Sequence, residues 1–370
     1  MGIELTIGID ARAAVEEPAG RGRFVRELLR RLPARDGRVR YLAYARSAWD
    51  GELDDGVQWR LVPFSDPWWN LDAARRASRE CDVFLSSNSY LTAWFTRVPT
   101  MLVVYDLVAF VPGARVRRTS GIIERATIRP ALRRAAALVC ISRATEHDLL
   151  ERFPAARGKT RVVHLGADDR FGQKLPASEL ERVRARYGLE RPFVLSVGTI
   201  EPRKNLSRVI AAYSRLPRER RESHLLALVG PLGWDFTQIV DEAAAADDVT
   251  LLGQVPDDDL AALYQACSVF CYPSLYEGFG LPLLEAMRSG AACITSNVSS
   301  LPEVGGDAVA YVDPRKVDEI RDALARLLAA EDERVALGER ARERAAEFSW
   351  ERMAADLIGQ LVELAPSMRS

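Results

Sequence analysis

Short apolar and β-branched runs alternate with longer stretches of helical spacing along the whole chain. In the first half, LTIGID, RYLAYA, WRLVPF, DVFLSS, TMLVVYD, ALVCIS and RVVHLG read as strands. In the second half, FVLSVG, HLLALVG, VTLLG, VFCYPS, ACITSN and AVAYVD read the same way. Strands separated by helices predict parallel sheets with right-handed crossovers. Each half carries its own strand set, and a polar, turn-rich stretch around Gly166 to Arg191 separates them. The pattern therefore predicts two α/β domains, each a doubly wound, Rossmann-like sheet, over residues 1–172 and 190–347. Ligands of such sheets bind beyond the carboxyl ends of the strands, so a cleft between two facing sheets is expected. A long helix is predicted from about Val317 to Glu347. A last helix over 349–364 places Trp350, Met353, Leu357 and Leu361 on one face. It packs either on the second domain or back on the first.

Composition narrows the function class. A chain of 370 residues is too long for one compact core. The net charge of -1 gives no sign of nucleic-acid binding. Five cysteines, an odd number lying mostly in strand-like runs, suggest reduced core thiols and a cytoplasmic setting. Cys267 and Cys271 lack a second pair of metal-type ligands. No basic leader precedes the first apolar run, and no apolar stretch is long enough to span a bilayer.

Two segments carry candidate chemistry. In SLYEGFGLPLLEAMRSG, residues 274–290, a strand ends in a loop containing Gly278 and Gly280. A helix is predicted to begin near Pro282 and to stop at Gly290. The glycines let backbone N–H groups approach an anion, and the helix N-terminus adds partial positive charge. Glu277 and Glu285 flank this phosphate cradle. Were the segment all helix, they would lie about 12 Å apart along the axis. That is too far for a retaining-glycosidase pair, whose carboxyls sit roughly 5 Å apart. The spacing suits hydroxyl recognition at two ends of a nucleotide sugar, or simply a structural Glu285 and a solvated Glu277. In SVGTIEPRKN, residues 196–205, a strand runs into a loop bearing Arg203 and Lys204 just before a helix. These cations either neutralise a diphosphate leaving group, as a metal does elsewhere, or form an exposed basic turn.

Together these motifs resemble those of the family 4 retaining glycosyltransferases of GT-B fold. Glu277 and Glu285 match that family's E-x7-E motif, and Arg203 and Lys204 match its Arg-Lys pair. The resemblance extends over GIDAR at 8–12, GRGRF at 20–24, VYDL at 104–107, CISRAT at 140–145 and TSNVSSLPE at 295–303. Within the family, the chain is most similar to bacterial polysaccharide mannosyltransferases that use GDP-mannose. The resemblance implies that Glu277 contacts the transferred sugar and Glu285 the ribose. It implies diphosphate binding by Arg203 and Lys204, and base binding near Gln254 and Val255. Gly198, Gly278, Phe279, Gly280 and Leu281 complete the implied donor site, with Gly22 letting a first-domain loop approach it. Asp10, Arg12, Tyr105 and Asp106 fall on the implied acceptor side. Glu277, Arg203, Lys204 and Asp106 are the implied catalytic set. The family often has His-Asp where this chain has Tyr105-Asp106, which puts the acceptor geometry in question.

The implied reaction moves a sugar from a nucleoside-diphosphate sugar to a hydroxyl of a saccharide or lipid-linked saccharide, with retention. Its rivals are a nucleotide-sugar epimerase and a non-catalytic nucleotide-sugar-binding protein. No metal or other cofactor is expected: Asp257-Asp-Asp259 after Pro256 reads as a helix N-terminal cap. The three histidines read as structural. Residues 115–134 carry Arg115, Arg117, Arg118, Arg125, Arg129, Arg133 and Arg134 against the single acid Glu124. They read as a solvated helical face or as peripheral attachment to an anionic membrane surface. Pro130 is expected to break or kink a helix there.

Overall fold

A computed structural model describes residues 5–17, 20–33, 39–51, 53, 56–111 and 118–366. Arg115 and Arg117 lie outside the described residues. Every predicted strand forms. The first sheet holds β1 (Leu5–Asp10), β2 (Val39–Ala45), β3 (Val57–Leu61), β4 (Val83–Ser86), β5 (Thr100–Val104), β6 (Ala137–Cys140) and β7 (Thr160–Val162). The second holds β8 (Phe193–Val197), β9 (Leu225–Val229), β10 (Val249–Gly253), β11 (Val269–Tyr272), β12 (Cys293–Ser296) and β13 (Ala310–Val312). The orders are β3-β2-β1-β4-β5-β6-β7 and β10-β9-β8-β11-β12-β13, and neighbours in both are parallel. Both orders reverse direction once, between β1 and β4 and between β8 and β11. These are the switch points at which doubly wound sheets open a crevice for ligands.

Burial on both faces explains why the inner strands are apolar runs, while the edge strands β3, β7 and β10 are only partly buried. In β11 the period of two is visible directly. Val269 and Cys271 join a core with Ile210, Tyr213, Leu324 and Leu327 from covering helices. Phe270 and Tyr272 face the other layer, where Phe171, Tyr264 and Phe270 meet edge to face at 5.7 and 5.3 Å. In the first sheet, Leu102, Val104 and Leu138 pack on Ile128, Ala131 and Leu132. Leu42, Tyr44 and Phe84 pack on Trp69, Ala73 and Ala77.

The chain divides into two compact units. One runs to Gly166 and takes back the chain from Trp350; the other holds Ala167–Ser349. Residues 167–172 thus fold with the second unit, because Phe171 packs on Tyr264 and Asp169 pairs with Arg288 at 2.5 Å. The helix Trp350–Leu364 buries Trp350, Met353, Leu357 and Leu361 in the first unit, against the helix Arg21–Arg30 and β4. Arg31 Nε and Glu351 Oε1 close that contact at 2.5 Å.

Three local expectations are corrected. The predicted long helix is two, Val317–Ala329 and Glu331–Ala345, separated at Ala330, whose backbone is extended. Glu331, Asp332 and Glu333 then occupy the new first turn, where carboxylates meet free N–H groups. The helix Arg118–Arg134 continues through Pro130. Packing of Ile128, Ala131 and Leu132 on the sheet holds it together where propensity alone would end it. The cap of the helix Asp257–Ala266 is Pro256, and no side chain caps it. Asp258 instead pairs with Arg170, and Asp259 takes Arg182, Arg186 and the Tyr187 hydroxyl.

Candidate functional site

The residues with the densest polar chemistry sit at the switch point of the second sheet. Strand β8 ends at Val197, and Gly198 follows with φ +149°. A Cβ there would lie 3.2 Å from Lys204 Cε, so the absent side chain leaves room for the lysine stem. The chain then forms a 3-10 turn, Pro202–Lys204, and Asn205 enters the left-handed region at φ 63° before the helix Leu206–Ser214. Asn205 Nδ2 donates to the carbonyls of Pro273 and Pro314 at 2.9 and 2.7 Å. Leu275 N–H donates to Arg203 O at 2.9 Å. The loops after β8, β11 and β13 are thereby fastened to one another.

Glu277 lies at the centre of this arrangement, buried. Its Oε1 accepts from Lys204 Nζ and from the Tyr272 hydroxyl, each at 2.7 Å. Its Oε2 accepts from Arg203 Nη1 at 2.8 Å. Lys204 Nζ also donates to the Tyr272 oxygen at 2.7 Å. Burial disfavours the carboxylate, but Arg203 and Lys204 outweigh it and hold Glu277 down at about 2. Burial lowers the Lys204 ammonium from its ordinary value, with Glu277 opposing that shift. Of the two alternatives for the Arg203-Lys204 loop, the exposed basic turn is not what forms: Lys204 is buried and both cations are paired. Arg203 also grips Glu201 Oε1 through Nε and Nη2 at 3.0 and 2.8 Å. Two cations stand against two carboxylates.

The helix Leu281–Arg288 starts behind Gly280, at φ +105°, with Pro282 in its first turn. Only the later part of the Glu277-to-Glu285 spacing is helical. Ser300 Oγ ties the loop by donating to Glu277 O and Phe279 O at 3.0 and 2.8 Å. Ser299 Oγ accepts the Glu277 N–H at 3.0 Å. The Phe279 ring is buried edge-on to Phe348 at 5.9 Å, so its side chain is core and only its backbone borders the cradle. Leu281 opens the helix half-buried, beside the first-turn N–H groups. Glu285 is buried one turn on, and its Oε2 accepts from the Tyr264 hydroxyl at 3.2 Å. Gln254 and Val255 follow β10, with Gln254 exposed and the Val255 side chain buried. Neighbouring strands lie about 4.8 Å apart, which puts the end of β10 roughly 12 Å from the β8–β11 crevice. That span suits a ligand lying across the strand ends.

The first unit gathers a second group of side chains at its own strand ends. Gly22 is in the first turn of the helix Arg21–Arg30, and a Cβ there would fall 1.7 Å from Glu17 O. This glycine is required by its own loop backbone. Asp10 and Arg12 are buried and bound to each other, with Arg12 Nη2 to Asp10 Oδ2 at 3.3 Å. Arg12 further reaches Asp66 and Asn70 at 2.8 and 3.2 Å and stacks 3.7 Å over Trp69. Their polar groups brace the loop after β1. Tyr105 and Asp106 follow β5. Asp106 Oδ1 accepts the Val108 N–H at 3.0 Å, fixing the turn. The Tyr105 ring meets Phe24 edge-on at 5.5 Å and lies 5.3 Å from the Arg21 guanidinium. Its hydroxyl is buried with no hydrogen-bond partner among the described residues, and burial pushes its pKa well up. Burial, then Asp106, pushes the Glu124 carboxyl up to about 7.

Sequence reasoning missed Tyr272 and Glu201. Both lie inside quoted motifs, but only the fold shows what they touch. His147 was expected to be structural; it is exposed, near Asp148 and Glu151 on the helix Arg143–Arg152. All five cysteines are free thiols. Among the described residues, no helix is long and apolar enough to cross a membrane.

Comparison with known proteins follows this division. Residues 18–171 match Glycosyltransferase Family 4, and residues 179–344 match Glycosyl transferases group 1. O-antigen chain mannosyltransferase B of Escherichia coli is 40% identical over 206 residues, covering 55% of this chain and 53% of that protein. The GDP-mannose-dependent alpha-(1-6)-phosphatidylinositol monomannoside mannosyltransferase of Mycobacterium tuberculosis is 35% identical over 225 residues, covering 56% and 57%. The chain thus spans about half the length of the curated relatives it matches. HepE of Anabaena, solved with UDP-glucose, shares the fold at TM-score 0.77 and 16% identity, covering 97% of this chain and 100% of that one.

Proposed function

The chain belongs to the GT-B glycosyltransferases, joining a family 4 half to a group 1 half, and from that premise we propose that it transfers mannose from GDP-mannose to a hydroxyl of a saccharide or lipid-linked saccharide. The observation that carries the reading is the buried Glu277–Lys204–Arg203 cluster at the crevice between β8 and β11. A diphosphate entering beside the first turn of Leu281–Arg288 takes over Arg203 and Lys204. Glu277 is thereby released toward the sugar hydroxyls. Glu285 holds the ribose, and the base lies at Gln254 and Val255. Gly278, Gly280 and Leu281 let the phosphates approach the backbone. The C–O bond to the diphosphate breaks as the acceptor oxygen bonds the anomeric carbon on the same face. The departing phosphate oxygen takes the acceptor proton, so configuration is retained and no protein nucleophile is required. Tyr105 and Asp106 border the acceptor.

The two cations neutralise the leaving group, so turnover is expected to persist in EDTA; loss in EDTA with recovery on Mg²⁺ or Mn²⁺ would overturn this part. The mannose assignment draws on the activities for which the two mannosyltransferase relatives are named. Its test is turnover with GDP-mannose, UDP-glucose and UDP-galactose, and faster turnover with a UDP-sugar would sink it. Sugar released as an epimer without acceptor would favour an epimerase. The same reading holds the first unit loosely at an anionic membrane surface through residues 115–134, where a lipid-linked acceptor presents its hydroxyl.

A further inference from the structure

The helix Arg118–Arg134 turns one stripe of its exposed side chains outward together. Ile122, Ala126, Arg129 and Arg133 recur at intervals of four, three and four residues, which places them on one face, and all four are exposed. At the arginine end of the stripe lies a cavity of about 240 Å³. Its walls are Arg129, Arg133 and Arg152, the last ending the helix Arg143–Arg152. Buried Leu132 and Phe153 and exposed Pro154 also line it. None of the three arginines pairs with a carboxylate among the described residues. The acids on the two helices are Glu124, Glu146, Asp148 and Glu151, and Asp148 sits beside His147 at 3.7 Å. Three cations around one hollow repel one another, and a phosphate relieves that repulsion while accepting several guanidinium bonds.

The apolar surroundings indicate which kind of phosphate. Ile122 is 66% exposed and Ile123 56% exposed. The helix Tyr90–Phe95 packs on this one and offers Trp94 and Phe95, stacked at 5.3 Å and also exposed. A free phosphate gains nothing from isoleucines roughly 9 to 16 Å along the helix from Arg129 and Arg133. A lipid gains from both features, because its headgroup reaches the arginines while the interface receives the apolar side chains.

We propose that the pocket formed by Arg129, Arg133 and Arg152 grips the phosphate of an anionic phospholipid in a bilayer, with Ile122 and Ile123 entering the interface beside it. This rests on the peripheral-membrane part of the proposed function and is independent of the donor chemistry.

The test is co-sedimentation with phosphatidylcholine vesicles, with and without phosphatidylglycerol, at low and high salt. The wild-type chain is expected to bind only the phosphatidylglycerol vesicles, and less as salt rises. Replacing Arg129, Arg133 and Arg152 together by Ala is expected to lower the partition coefficient roughly a hundredfold. Replacing all three by Lys should restore most of it. Removing equal charge from the second unit, with Arg218, Arg315 and Arg340 changed to Ala, should leave binding intact. All these side chains are exposed, so the variants are expected to keep the wild-type melting temperature. Equal loss in the second-unit control, or undiminished binding by the pocket variant, would overturn the proposal. Displacement by millimolar glycerol phosphate would reassign the pocket to a soluble ligand. Single-stranded RNA binding that disappears in the pocket variant, without vesicle binding by the wild type, would reassign it to nucleic acid. Turnover of a soluble acceptor separates the readings: if it persists while the wild type binds no vesicles, the membrane attachment and the lipid inference both fall and the transferase reading stands; if only the pocket variant binds undiminished, the lipid pocket alone falls.

Discussion

Glu277 keeps its negative charge out of water because three donors converge on two oxygens. Its carboxyl lies near 2, below the ordinary 4.5. A depressed carboxyl stabilises the fold fully above the unfolded value and loses that contribution as pH falls toward the folded one. The wild type should therefore lose stability between pH 4.5 and 2 more steeply than Glu277→Gln, as melting temperature against pH would show. Equal slopes would contradict the assignment. Tyr272→Phe removes one donor to the carboxylate and one acceptor of Lys204. Bonds to charged groups contribute roughly 1.5–3 kcal/mol, so a loss of about 2 kcal/mol in urea unfolding is expected. Lys204→Met keeps most of the stem and removes the charge. It should weaken GDP affinity about tenfold or more by calorimetry. Because Lys204 is buried against Glu277, the same change should also destabilise the fold, unlike a substitution in an exposed basic turn.

At the scale of elements, the site is a set of strand–loop–helix joints whose glycines decide what fits. Gly280 sits at φ +105°, and a Cβ there would meet Leu301 Cδ2 at 2.7 Å. Gly280→Ala is expected to cost about 1–3 kcal/mol and to weaken nucleotide binding, since the helix start would have to shift. Unchanged stability and affinity would remove the cradle's claim to a fixed geometry. Glu124 offers a pH signature in the first unit. Its carboxyl is raised from 4.5 to about 7, so the folded chain should lose stability as pH rises across that window. Glu124→Gln should flatten the melting-temperature profile there. The strands were legible because parallel sheets bury both faces and leave unbroken apolar runs. The loop glycines and the Arg203-Lys204 pair were legible because their residue types are local signals. The break at Ala330 and the passage through Pro130 were not, since neighbouring packing overrides local preference. Nor were the partners of Glu277, because Arg203 and Lys204 reach its carboxylate only once β8 and β11 lie side by side.

At the scale of the molecule, the two units are not two consecutive halves of the chain. The helix Trp350–Leu364 returns to the first unit and buries Trp350 and Leu357 there. A chain ended at Ser349 should keep GDP binding in the second unit, because Arg203, Lys204, Glu277 and Glu285 all lie within Ala167–Ser349. Its first unit should melt earlier, with amide exchange quickened in β4 and in Arg21–Arg30. Full retention of first-unit protection would show that the helix adds little.

This return also sets a timetable for synthesis. The first unit begins to emerge from the ribosome before the second, yet its covering helix is made only after the whole of Ala167–Ser349. The second unit is one unbroken stretch and can close while the first still waits for its final helix. Nascent chains stalled just beyond Ser349 should thus carry a protease-resistant second unit and a cleavable first one. During that interval the bed awaiting Trp350 is open apolar surface, a binding place for a chaperone.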